Sequence, residues 1–426
     1  MSTSKPSVPR LEQHRRSLWI ACAVVALTTR LGYWFTTRDA PLSSDAGTYH
    51  ELATNLVDGR GFSHTFPQVV LHPTAFRPPA YPFVLSSVYR LTGPSAGVGR
   101  GLGVVIGVIV VLLTLWVVER HAGVVAGAVA ALIVAVYPPL IANDTVTLAE
   151  GLSLALLLLL VDRVLERRWI AVGVLSALLT LTRPSAQLLI LVIVGWLVVR
   201  AGRKAALGAL AVGVVVVAPW VIRNIVVLDA PVVVTSNGFN LSAIYSPTAQ
   251  RVGAFVDPVN DPELEGSRFD QLDEAEWDRQ LRRRALDNIG EHPQQVAKVI
   301  GRNTLAFLEI KPSFNEQAEI LDGRNMTVRT VTMPLFYLVT AAGAVGLWRS
   351  RRSDLTRLLV LLSALFTAGS LLLVAPPRLR APFDLVACIG AGLLVASFGR
   401  RAPEPSLVGQ RLARLSEGSS SGGRNG

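Results

Sequence analysis

The residues in this sequence able to do chemistry are acids and arginines that stand beside long apolar runs. Asp45, in SDAGTYHELATNLVDGRGF, opens a segment whose Ala46, Tyr49, Leu52, Ala53 and Leu56 recur on one helical face, with Gly59 as its stop. On that reading the carboxylate looks into a cleft, where it can take a proton from a bound group. The alternative reading makes Asp45 a helix N-cap. A second acid, Glu150, lies in NDTVTLAEGL, and packing alone does not account for a carboxylate beside an apolar run. Arg77 in FRPPAYP, Arg183 in LTRPSA, Arg223 in PWVIRN, and Arg378 and Arg380 in PPRLRAPFD add guanidiniums, planar forks that match phosphate geometry. Each of these arginines could instead snorkel to lipid headgroups. Asp144 reads as a helix cap, Arg30 as a snorkelling residue, and Asn237 to Asn240 as a turn with Gly238 at its centre.

The elements that must position these groups are membrane helices. The chain has 426 residues and 51% apolar content, which alone does not separate a membrane protein from a soluble one. The distribution does separate them. Residues 101–118, 122–143, 205–222, 330–348 and 358–377 carry no charged side chain, and about 20 such residues are needed to cross a hydrocarbon core of about 30 Å. The net charge of +11 then belongs to loops on the cytoplasmic side and to anionic lipid, not to nucleic acid. Cys22 and Cys388 lie in apolar runs, which excludes a disulfide scaffold and a cysteine metal site.

Counting lysines and arginines at the ends of the runs gives about ten spans with both termini inside. Residues 80–91 are too short to cross and form an interfacial or re-entrant helix. This parity places Asp45, Glu150 and the five arginines on the extracytoplasmic side. The expected layout is a cytoplasmic tail (1–16), a membrane domain (17–401) with a first outer loop (38–97) and a large outer loop (223–329), and a disordered cytoplasmic tail (402–426). The large loop reads as helical, with amphipathic segments at 270–289 and from Glu291 onward. The fold class is therefore all-α and polytopic.

The pattern Asp45, Tyr49, Ala53, Leu56, Gly59, Gly61–Phe62, followed by Arg77–Pro78–Pro79 and Tyr81–Pro82, resembles the first outer loop of the GT-C superfamily of membrane glycosyltransferases. Within it the pattern is most similar to the protein mannosyltransferase and aminoarabinose transferase group. The resemblance implies a polyprenyl-phosphate sugar donor, an extracytoplasmic lipid, polysaccharide or protein acceptor, and Asp45 as the catalytic acid of the loop. It implies that Glu150 supports substrate or metal, that Arg77, Arg183, Arg223, Arg378 and Arg380 hold the lipid phosphate, and that Tyr49, Tyr81, Asn237 and Asn240 line the substrate. The sequence departs from the aminoarabinose transferases where they carry an acid before the basic residue and Pro-Pro: here Phe76 precedes Arg77. A divalent metal is left open, because His50, His64 and His72 show no ligand spacing. The rival reading is a lipid or sugar transporter, which would place charges near mid-span.

Overall fold

A computed structural model describes residues 8–66, 70–264 and 273–399. The expected tail at 402–426 and most of the one at 1–16 lie outside the residues whose side chains are described. The chain opens with α1 (Val8–Thr37), then α2 (Ser44–Val57), a two-stranded hairpin β1 (Ser63–His64) and β2 (His72–Pro73), and α3 (Ala80–Thr92). A first group of bundle helices follows: α4 (Ala96–Ala122), α5 (Val124–Val136), α6 (Pro138–Asp144), α7 (Glu150–Leu165), α8 (Trp169–Thr180), α9 (Leu189–Ala201) and α10 (Arg203–Leu228). The large loop holds α11 (Asn237–Tyr245), α12 (Pro247–Val252), α13 (Glu274–Glu291), α14 (Gln294–Phe307) and α15 (Glu316–Leu321). The bundle closes with α16 (Met326–Arg349), α17 (Asp354–Leu372) and α18 (Ala381–Phe398).

Among the described residues seven helices are long and apolar enough to cross a membrane, eight if α5 and α6 count as one broken span. The expected ten is not reached by this measure. The run at 122–143 is not one rod: Pro138 and Pro139 end α5 at Val136, with Tyr137 as its cap, and the chain bends by 64° into α6. The next two helices fall short, with 16 residues in α7 and 12 in α8. The expected boundary at Arg223 also moves. α10 runs through Pro219 to Leu228 and is closed by Asp229 in the left-handed region at φ 49°.

α18 sits at the centre, most of its length buried and packed on α16 and α5. Glycines allow that approach. A Cβ on Gly346 would stand 1.9 Å from the Gly390 carbonyl oxygen, so α16 and α18 touch backbone to backbone there. A second tie joins α1 to the broken span. Arg30 is fully buried and holds Asp144 through Nε and Nη2 at 2.9 Å each. Thr29 and Arg30 also donate to the Ala135 carbonyl, at 2.7 and 3.3 Å, one of those that the proline break leaves without a helical donor. Arg30 does not snorkel and Asp144 is not a cap; each is the other's counter-ion.

Replacing Gly346 with Ala should lower the apparent melting temperature in detergent by roughly 5 °C or more. Gly195→Ala, where nothing lies within 4 Å of the added carbon, should leave it unchanged.

Candidate functional site

α2 lies on α3, with Tyr49 and Tyr81 in edge-to-face contact at 5.1 Å between ring centres. Ser43 takes the N-cap position in extended backbone, and Ser44 turns the chain at φ 51°. Asp45 is thus inside the first turn and is not the cap. Its carboxylate goes elsewhere: Oδ1 accepts from Arg77 Nη2, and Oδ2 lies 2.7 Å from Arg378 Nη2. Arg77 comes from the strand-to-helix turn before Pro78–Pro79 and stacks on Phe76 at 4.9 Å. Arg378 comes from the single 3-10 turn Pro377–Arg380 that leads into α18.

Arg183 stands just before Pro184, is 6% exposed, and lies close enough to Asp45 to stabilise its charge. Glu150, the first residue of α7, is also 6% exposed and within electrostatic reach of Tyr49, Tyr81 and Arg378. Burial alone would raise the Asp45 pKa, but Arg378, Arg77 and Arg183 outweigh it and hold the carboxyl below the usual aspartate range. The Tyr49 hydroxyl is pushed up, first by burial and then by Asp45 and Glu150, so it stays protonated and can donate. The guanidiniums keep unused capacity. Arg77 Nε, Arg183 Nη1 and Arg378 Nε are buried and have no hydrogen-bond partner among the described residues. Three unpartnered donors around one carboxylate make a site suited to an anion.

The large loop brings a third acid that sequence reading passed over. Asp322 Oδ1 lies 3.2 Å from Arg378 Nη1, so Arg378 is held between two carboxylates, and Asp322 Oδ2 is buried without a partner. Burial raises the Asp322 pKa, against the pull of Arg378 and Arg324. Its neighbours fasten the loop to the site: Leu321 accepts from Ser43 Oγ, and Arg324 donates to Asn143. The available signal was an acid eight residues before the apolar run 330–348.

Two of the five arginines stand apart. Arg223 spends its donors on the carbonyls of Thr74 at 2.7 Å and Phe62 at 3.0 Å, pinning the first loop to α10. Arg380 points away from Arg378 into a separate network, bonded to the Phe307 carbonyl at 2.7 Å, Asp384 at 3.1 Å and Glu309 at 3.2 Å. Asn237 and Asn240 are not in a turn: they begin α11, where Gly238 lies against α13 and Asn240 donates to the Ser236 carbonyl at 2.7 Å. The loop histidines each have a local partner: His50 with Tyr89 at 2.7 Å, His64 with Glu51 at 3.0 Å, and His72 with Glu274 at 3.2 Å. Among the described residues no three His, Cys, Asp or Glu side chains converge as metal ligands.

No family model matches this chain, and no curated protein does. Solved structures do. The archaeal oligosaccharyltransferase AglB from Archaeoglobus fulgidus, in complex with an inhibitory peptide and a dolichol-phosphate, superposes with a TM-score of 0.54 at 13% identity over 99% of this chain and 53% of that one. The apo form of the Archaeoglobus fulgidus oligosaccharyltransferase gives 0.52 at 15% identity over 96% and 52%. ArnT from Cupriavidus metallidurans bound to undecaprenyl phosphate gives 0.41, too low to argue from. This chain spans about half the length of the oligosaccharyltransferases it matches, and what it shares with them is the fold.

Asp45→Asn should destabilise the protein by about 2 kcal/mol at neutral pH, a figure reduced for the solvent that still reaches the carboxylate. Because folding lowers the Asp45 pKa, that difference is fully present above the ordinary aspartate pKa and shrinks as pH falls through the folded value. Unfolding of wild type and variant in detergent across that range checks both. Asp322→Asn, which removes an acid whose pKa folding raises, should cost less at neutral pH.

Proposed function

We propose that this chain is a membrane glycosyltransferase that moves a sugar from a polyprenyl-phosphate donor to an acceptor hydroxyl at the extracytoplasmic face. The observation that carries the reading is the set of buried, unpartnered guanidinium donors of Arg77, Arg183 and Arg378 around Asp45. The GT-C fold and the dolichol-phosphate in the archaeal oligosaccharyltransferase structure support the donor class. Charge supports this sidedness: Arg120, Arg163, Arg200 and Arg349 lie in the last turns of α4, α7, α9 and α16, the ends that the positive-inside rule assigns to the cytoplasm.

The reaction is a single displacement. The acceptor hydroxyl gives its proton to Asp45, its oxygen forms a bond to the anomeric carbon, and the carbon–oxygen bond to phosphate breaks with its electron pair on the leaving lipid phosphate. The product sugar is inverted. Arg77, Arg183 and Arg378 hold the departing phosphate in a poorly hydrated site. The same arginines govern the base. With no donor present, Arg77 and Arg378 occupy both oxygens of Asp45 and make it a weak proton acceptor. When they turn to the phosphate the carboxylate loses those counter-ions and becomes more basic. Glu150, within electrostatic reach of Tyr49, Tyr81 and Arg378, is assigned with the two tyrosines to the sugar or the acceptor. Arg223 and Arg380, committed to backbone carbonyls and to other carboxylates, have no part in this scheme.

Purified protein in liposomes, given a panel of labelled polyprenyl-phosphate sugars and extracted envelope acceptors, should transfer label from one donor class. Asp45→Asn should cut turnover by about a thousandfold while the donor still binds. Arg77→Gln should weaken donor binding and move the acid limb of the pH–rate profile upward, because Asp45 loses a counter-ion. Movement of intact donor across the bilayer without transfer would establish a transporter instead.

A further inference from the structure

The end of the bundle away from Asp45 carries a groove that this reaction does not use. α7 starts at Glu150 beside the site, ends at Leu165, and turns through residues 166–168 into α8. Arg167 makes that turn at φ 56°, in the left-handed region that a residue with a Cβ rarely adopts. A groove of about 790 Å³ opens there, with Arg163, Arg167, Arg168 and Trp169 among its lining and an apolar wall that includes Ile170 and Leu175.

The charges around it are unevenly matched. Arg163 pairs with Asp162 at 3.1 Å, and Arg120 pairs with Glu166 at 2.7 Å. Arg167 and Arg168 are exposed, and among the described residues neither has a carboxylate within ion-pair distance. Depth adds a separate argument. Arg120, in the last turn of the 27-residue α4, a helix long enough to cross a hydrocarbon core of about 30 Å, pairs with Glu166 beside them, so Arg167 and Arg168 stand level with the end of a full-length span, where headgroups lie.

We propose that this groove binds one anionic phospholipid, with its phosphate on Arg167 and Arg168, its glycerol region at Trp169 and its acyl chains along Ile170 and Leu175. The inference rests on the membrane fold alone and stands whether or not Asp45 transfers sugar.

The test is a lipid titration of purified protein in detergent, read by native mass spectrometry with dioleoyl-phosphatidylglycerol, dioleoyl-phosphatidylcholine or inorganic phosphate. One phosphatidylglycerol should bind more tightly than phosphatidylcholine, and Arg167→Gln/Arg168→Gln should weaken it about tenfold. Arg203→Gln/Lys204→Gln removes the same charge from an exposed start of α10 outside this groove and should leave the preference intact. Equal binding of the two lipids, equal loss in both double variants, or inorganic phosphate competing as well as the lipid would each overturn the proposal.

Discussion

Asp45 has one oxygen on Arg77 and the other on Arg378, and those guanidiniums come from opposite parts of the chain. Arg77 belongs to the first loop, Arg378 to the turn before the last helix, and Asp322 reaches Arg378 from the large loop. Charges this far from water are tolerated only when each is matched, so the three segments have to dock together or not at all. The other devices serve that docking. Arg223 clamps the first loop to α10, and Glu274 on α13 accepts from the Ala75 amide at 2.8 Å and the Thr74 hydroxyl at 2.6 Å, two and three residues before Arg77.

The arrangement also separates two kinds of buried arginine. Arg380 is engaged: two carboxylates and a carbonyl accept from its Nε and Nη1, tying the turn before α18 to the large loop. Arg77, Arg183 and Arg378 are left with unused N–H groups in positions that exclude solvent. Leaving such groups unmatched costs free energy in the empty protein, and an incoming anion recovers it. A site of this kind favours an anionic group over a neutral one.

Much of this was legible in the sequence, and the failures have physical causes. The helix of α2 followed from periodicity, and Asp45, Arg77, Arg183 and Arg378, singled out by residue type and by their place beside apolar runs, do lie together. The fate of individual guanidiniums did not. Arg183 and Arg223 both follow apolar runs, yet one keeps a free donor and the other binds loop carbonyls. That difference depends on which backbone folds against each, and no local pattern records it. The uncharged run 122–143 has the length of one span, and length alone hides the break that Pro138–Pro139 impose within it. Asn237–Gly238 has the composition of a turn, but the missing side chain at 238 serves close packing on α13 within a helix.

The pairing of Arg30 with Asp144 bears on how the protein is made. The two residues are 114 positions apart, so the first helix leaves the ribosome and enters the bilayer well before its counter-ion exists. Until α6 arrives, a guanidinium in that helix has only backbone and interface water to satisfy it, at a cost of about 2.5 to 3.5 kcal/mol near the bilayer centre. The first helix is thereby a poor anchor by itself, and a chain truncated before residue 144 lacks the partner that holds it in place.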